Sequence, residues 1–261
     1  MSYGRNVALI YDGSFYGLLS ALWYAFENKI IPAEITEKKE LLPIFDEITV
    51  KTDEKRAKRL MSGFDERIFD GAGKKIFMAY LSDEEDRERA IYEYVKFGVA
   101  HGKKTARLLS EPSVQRVERL CRKVCNEAHR LKGFLRFSDC ENALVAVTEP
   151  SCFALPLVIG HFANRYPDEN IAVFDKRHKA VFVSEKGKIS MFFADELKIF
   201  EENFDEKAYK TLWKIFFNTV FIEERKNEKC QKTHLPVRFW RQLTEMQDEN
   251  EKNSRKLIDK T

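Results

Sequence analysis

Much that would mark a membrane protein, a disulfide scaffold or a nucleotide enzyme is missing from the sequence. The longest strongly apolar stretch runs only from Phe153 to Gly160 and contains Pro156. A membrane span needs about 20 apolar residues, so none is expected and no membrane partner follows. The start, Met1-Ser-Tyr-Gly-Arg5, lacks the basic-then-apolar layout of a secretory signal. Cysteine is scarce and odd in number, five residues without framework spacing, which points to a protein of the reducing cytoplasm. With 11 Gly and 7 Pro in 261 residues, collagen-like and low-complexity chains are excluded. Neither G-x-x-x-x-G-K nor G-x-G-x-x-G occurs. Charge of one sign is also lacking. The formal net charge is +3, too little to imply a polyanion partner by itself.

What is present is a regular alternation of apolar periods. Asn6–Tyr11 reads as a strand, followed by an Asp12-Gly13-Ser14 turn and a helix over Phe15–Glu27, with Asp12 or Ser14 as its cap. Glu47–Thr52 reads as a second strand and Asp53–Ser62 as a charged helix. A further helix runs from an Ser82 cap to about Phe97, broken near Gly98 and Gly102. The clearest helix is Val114 to about Lys132. Strands are expected at Gly133–Phe137 and Ala143–Thr148 around an Asp-Cys-Glu-Asn turn. Three more are expected at Ala172–Asp175, Ala180–Ser184 and Ile189–Phe193. Helices are expected at Phe153–Tyr166 and Asp205–Arg225. The class is α+β, a helical middle section packed with a small, mostly antiparallel sheet. Residues 1–245 read as one α+β domain, or as two packed subdomains over 1–110 and 111–245. Residues 246–261 form a polar tail expected to fray.

Charge is concentrated where the long helix lies. His101 to Arg136 carries ten Lys/Arg against three Asp/Glu. On that helix Val114, Val117, Cys121, Val124, Ala128 and Leu131 share one face. Arg116, Arg119, Lys123, Asn126 and Arg130 share another, and Lys132 and Arg136 continue the charge. Four cations along one face suit successive phosphates; a solvated surface gives the same pattern. The stretch Arg225 to Trp240 mixes cations, amides and aromatics, which suits phosphate contact and base stacking. It also suits a connection with Phe239 and Trp240 in the core. Cys121, Cys125 and His129 fall at steps of four; the outer two lie about 12 Å apart along the axis, too far for one ion, though two of the three could share a metal with ligands from elsewhere, and a free Cys is often simply a small buried hydrophobe. No metal or cofactor is expected, and no catalytic residue is assigned.

Four segments are more specific together than any of these signals alone: Tyr11-Asp-Gly-Ser-Phe-Tyr-Gly-Leu18, Ala128-His-Arg-Leu-Lys-Gly-Phe-Leu-Arg-Phe137, His161-Phe-Ala-Asn-Arg-Tyr166 with Phe174-Asp-Lys-Arg177, and Asn227-x-x-x-Gln231-x-x-His234-Leu-Pro-x-Arg238-Phe-Trp240. In order and content they resemble a bacterial family assigned to DNA metabolism or DNA repair. Members of that family are typically encoded beside a radical-SAM protein. Some are fused to a uracil-DNA-glycosylase-like domain. The resemblance implies DNA, a radical-SAM protein and a uracil-DNA-glycosylase-like protein as partners. It brings no accepted catalytic role.

The expected function is therefore a DNA-repair or DNA-metabolism accessory that binds nucleic acid. Its contacts would be Arg116, Arg119, Lys123, Arg130, Lys132, Arg136, Arg225, Asn227, Gln231, His234, Arg238 and Trp240. Asp12, Ser14, His129, His161 and Arg165 are further motif candidates. Two alternatives stand beside this. One is an enzyme on nucleic acid or nucleotide that pairs His129, His161 or His234 with Asp12 or Asp175. The other is an adaptor for the radical-SAM partner, with the aromatic residues as its interface.

Overall fold

The computed structural model describes residues 6–37, 45–140, 143–195 and 204–246. It is an α+β protein whose chain divides into two units, Met1–Cys125 and Asn126–Thr261. The division falls within one long helix. The polar tail expected from 246 lies, after Met246, outside the described residues, as do Glu141 and Asn142 of the expected turn.

The first unit is built on three parallel strands in the order β2-β1-β3: β1 Val7–Ile10, β2 Glu34–Thr36 and β3 Asp46–Thr49. Leu9 of β1 lies opposite Ile35 on one side and Ile48 on the other. Helix α1 (Phe15–Glu27) begins where the sequence places it, because the Ser14 side chain accepts the Gly17 N–H. Leu18, Leu19, Ala21, Leu22 and Ala25 of α1 are buried. Helix α2 (Glu54–Arg67) starts at Asp53, whose carboxylate accepts the Lys55 and Arg56 N–H groups at 3.0 Å. It runs five residues past the expected end at Ser62. Helix α3 (Ala72–Tyr80), which the sequence pattern does not announce, and α4 (Arg87–His101) complete the packing with the start of α5 (Pro112–Phe134). The core joins Leu9, Leu22, Phe64, Ile76, Ile91 and Val117. Helix α4 does not break at Gly98. An added Cβ there would stand 2.8 Å from the Ile68 side chain, so this glycine lets α4 approach α2 closely. The helix stops at Gly102, whose φ is +58°.

Helix α5 spans Pro112–Phe134, about 34 Å. All six residues of its expected apolar face are buried. The expected strand at Gly133–Phe137 is absent. Leu135 N–H still bonds the Leu131 carbonyl at 3.0 Å, and both leucines are buried. A helical repeat over Leu131 and Leu135 thus outweighs the local strand pattern.

The second unit carries a five-stranded sheet in the order β4-β5-β6-β7-β8. The strands are β4 Ser138–Cys140, β5 Ala143–Thr148, β6 Ile171–Asp175, β7 Ala180–Glu185 and β8 Lys188–Phe193. All pairs are antiparallel except β5–β6, whose crossover holds α6 (Ile159–Arg165). The expected helix over Phe153–Tyr166 is thus one short turn, Leu155–Leu157, followed by α6. Lys186 and Gly187, both at positive φ, close the β7–β8 hairpin. Helix α7 spans Phe204–Val220 and stops short of Arg225, since Ile222 is extended. Helix α8 spans Glu228–His234. Beyond it Trp240, Leu243 and Met246 form a small core with Phe134, Phe217 and Leu235. No helix among the described residues is long and apolar enough to cross a membrane.

Candidate nucleic-acid interface

The cationic face of α5 within the first unit is met by acids from the turn before α4. Asp86 pairs with Arg116, and Glu84 accepts from Lys123 at 2.5 Å. The Lys123 bond and charge, helped by Arg119, hold the Glu84 carboxyl below its usual range. Arg119 and Arg122 are exposed and have no ion-pair partner among the described residues. Asn126 is also exposed. The stripe is real as a face, but two of its three cations in this unit, Arg116 and Lys123, already have a carboxylate partner.

In the second unit the motif residues divide into two kinds. One kind surrounds Glu127, which is 1% exposed. Its carboxylate accepts the Ser151 N–H at 2.8 Å and the Arg238 guanidinium, and Arg130 lies 4.0 Å away. The Arg238 guanidinium also covers the Phe239 ring at 4.8 Å. Phe239 and Trp240 are buried, and the Trp240 indole N–H donates to the Leu235 carbonyl at 3.0 Å. This corrects the assignment of Trp240 to base stacking: its ring belongs to the core and its polar edge is spent on the backbone. Arg136 donates to the Gly133 carbonyl at 3.1 Å and lies 3.6 Å from Glu245.

The other kind lies on or beside α8. Asn227 caps that helix by accepting the Cys230 N–H at 2.9 Å, and the Gln231 amide reaches the Met246 sulfur at 3.9 Å. No residue of α8 is buried. His234 is exposed, as is Lys132 at the end of α5. Arg225, Lys226, Lys229 and Arg241 are exposed and have no ion-pair partner among the described residues. Lys232 pairs with Glu228 at 3.2 Å across one helical turn, a weak exposed contact. Arg165 at the end of α6 is exposed and lies over the Tyr166 ring at 5.7 Å.

Within each unit the remaining candidates do not assemble into an acid–base site. Asp12, in the first unit, accepts from Ser14 Oγ and Thr52 Oγ1 at 2.6 Å each and from the Ser14 N–H at 3.0 Å. Partial burial raises its pKa, but these hydrogen bonds prevail and hold it below the usual value. Ser14 is the α1 cap. Among the described residues of the second unit, none of His129, His161 or His234 hydrogen-bonds Asp175; His161 stacks edge-on to Phe162. Asp175 instead takes His178, with Nδ1 2.6 Å from its Oδ2. It also accepts the Arg177 and His178 N–H groups at 3.0 and 3.1 Å. The sequence signal for that pair is Asp-x-x-His across a hairpin turn. Cys121 is buried, its thiol donates to the Lys75 carbonyl at 3.3 Å, and burial pushes its pKa up to about 12. Cys125 is exposed with its sulfur 3.7 Å from Met78 Sδ. His129 is exposed. Among the described residues no three His, Cys, Asp or Glu side chains are grouped to hold a metal ion.

Glu127 is a site residue that charge counting misses. Its signal is positional: it follows Val124 by three on the buried arc of α5, where a carboxylate needs a partner.

The model of the family DUF4130, a domain of unknown function, matches residues 85–245. The chain belongs to this family. The match takes in α4, α5, the five-stranded sheet and the Glu127–Arg238 pair, so this DUF4130 protein carries β1 to α3 ahead of its family region. No curated protein and no solved structure matches it.

Proposed function

We propose that this DUF4130 protein binds nucleic acid through phosphate contacts made by its second unit, as an accessory in DNA repair or DNA metabolism. The observation that carries the reading is α8. Every residue of this helix except the half-buried Gln231 is exposed, so its surface is open to a ligand. Its surroundings hold Arg225, Lys226, Lys229 and Arg241, exposed and without ion-pair partners among the described residues. Lys132 adds a further exposed cation from the end of α5. Such a surface binds by charge and releases counterions; with about four phosphates neutralised, the slope of log K against log salt is about −3 to −4 on duplex DNA. The resemblance to DNA-repair proteins supplies the setting, with a radical-SAM protein and a uracil-DNA-glycosylase-like protein as the partners it implies.

The test is fluorescence anisotropy with single-stranded, duplex and uracil-containing DNA over a salt series. Binding that weakens with salt at this slope is expected, with little base preference because Trp240 is buried. Absence of binding at low salt removes the reading.

A further inference from the structure

Helix α7 is apolar on two sides. One side is anchored in the second unit: Phe217 packs on the Trp240, Leu243 and Met246 cluster, Lys210 donates to Ser138 Oγ at 2.9 Å, and the Trp213 indole N–H donates to Glu245 at 3.0 Å. The other side faces water. There Tyr209 is 68% exposed, Leu212 60%, Phe216 55% and Val220 54%, with Trp213, 45% exposed, at the edge between the two sides. At roughly 200 Å² per large side chain, these five leave roughly 560 Å² uncovered. That lies at the top of the ~300–600 Å² of the largest patch on a typical monomer. It is about two thirds of the ~800 Å² that each partner contributes to a standard interface, which suits a weak dimer.

We propose that a second copy of this chain docks on α7, antiparallel and about a two-fold axis. The stripe is self-complementary in its spacing. Tyr209 and Val220 lie equally far from the midpoint between Lys214 and Ile215, and so do Trp213 and Phe216. An antiparallel copy therefore lays Tyr209 on Val220 and Trp213 on Phe216, twice over, as an isologous interface requires. The contact runs over Tyr209–Val220, about 17 Å of helix. The contact is apolar, so salt does not weaken it, whereas nucleic-acid binding falls with salt.

Sedimentation equilibrium of the full chain from submicromolar to high micromolar concentration, at low and high salt, tests this. A monomer–dimer equilibrium that salt does not weaken is expected. Phe216→Glu raises the dimer Kd by about tenfold or more. Tyr209→Lys and Val220→Glu each weaken the dimer, and combining them in one chain restores it to within about threefold, because each lysine then meets a glutamate across the axis. Circular dichroism confirms that the variants stay folded, as substitutions at such exposed positions allow. A wild-type chain that stays monomeric throughout, a dimer indifferent to Phe216→Glu, or a combined variant no better than its parents each overturns the proposal.

Discussion

The cations of α5 and those around α8 are alike in sequence and unlike in structure. On α5 the first-unit cations Arg116 and Lys123 meet Asp86 and Glu84, acids some thirty to forty positions away in the chain. Around α8, Arg225, Lys226 and Lys229 meet no acid among the described residues. Arg238 goes furthest the other way, since its partner Glu127 is buried. A run of positive charge therefore says little until its counter-charges are placed. What distinguishes a phosphate-binding cation from a structural one is whether the fold has already brought it an anion.

That contrast is broken most forcefully at Arg238. Arg238→Ala leaves the Glu127 carboxylate buried with only Ser151 N–H and the more distant Arg130. Removing one member of a buried pair costs about 3–5 kcal/mol; Arg238 is partly exposed, so a loss of about 2–3 kcal/mol is expected in urea or thermal unfolding. Adding Glu127→Gln should recover part of it, because a neutral amide tolerates the missing cation better. Equal stability of Arg238→Ala and wild type would show that the pair is not structural.

The next effect is on binding. Arg225→Glu with Lys229→Glu should weaken DNA binding at low salt about tenfold or more and lower the magnitude of the salt slope by about 2. The matched change on the other helix, Arg119→Glu with Lys123→Glu, should do less, since Lys123 is already engaged by Glu84. Neither pair is buried, so unfolding midpoints should hardly move. A larger loss from the α5 pair than from the α8 pair would reverse the assignment of the interface.

Part of this was legible in the sequence for plain physical reasons. Ser14 as a cap, the buried face of α5 and the mostly antiparallel second sheet depend on local chemistry and on periods of 3.6 and 2. So does the apolar character of α7, but periodicity reports an apolar face and not what covers it. The parallel pairing of β1 with β2 and β3 joins segments separated by helix and loop, and no local period encodes it. Arg238 meets Glu127 across 111 positions, which is why a residue that looked like a phosphate ligand is a counter-ion to a buried carboxylate. Asp175 and His178 meet within a turn at a spacing of three, which neither the strand period nor the helical period reports.

The smallest effect is also the sharpest probe of the comparison. If acids silence the α5 cations, removing those acids should give them back. Glu84→Gln frees Lys123 and Asp86→Asn frees Arg116, so the double variant should bind DNA about two- to fourfold more tightly than wild type at low salt, with a steeper salt slope. The advantage should also depend on pH, and its sign is fixed. Lys123 holds the Glu84 pKa below the ordinary carboxylate range. The pair is therefore intact above that range and is lost as pH falls through the lowered value. Wild type should move toward the variant as the pH drops, because protonation of Glu84 then does what Glu84→Gln does. Taking the ratio of the two affinities at each pH cancels titrations elsewhere in the protein. A ratio that stays constant down through the carboxylate range would mean that Glu84 does not restrain Lys123, and that the quiet of the α5 face has another cause.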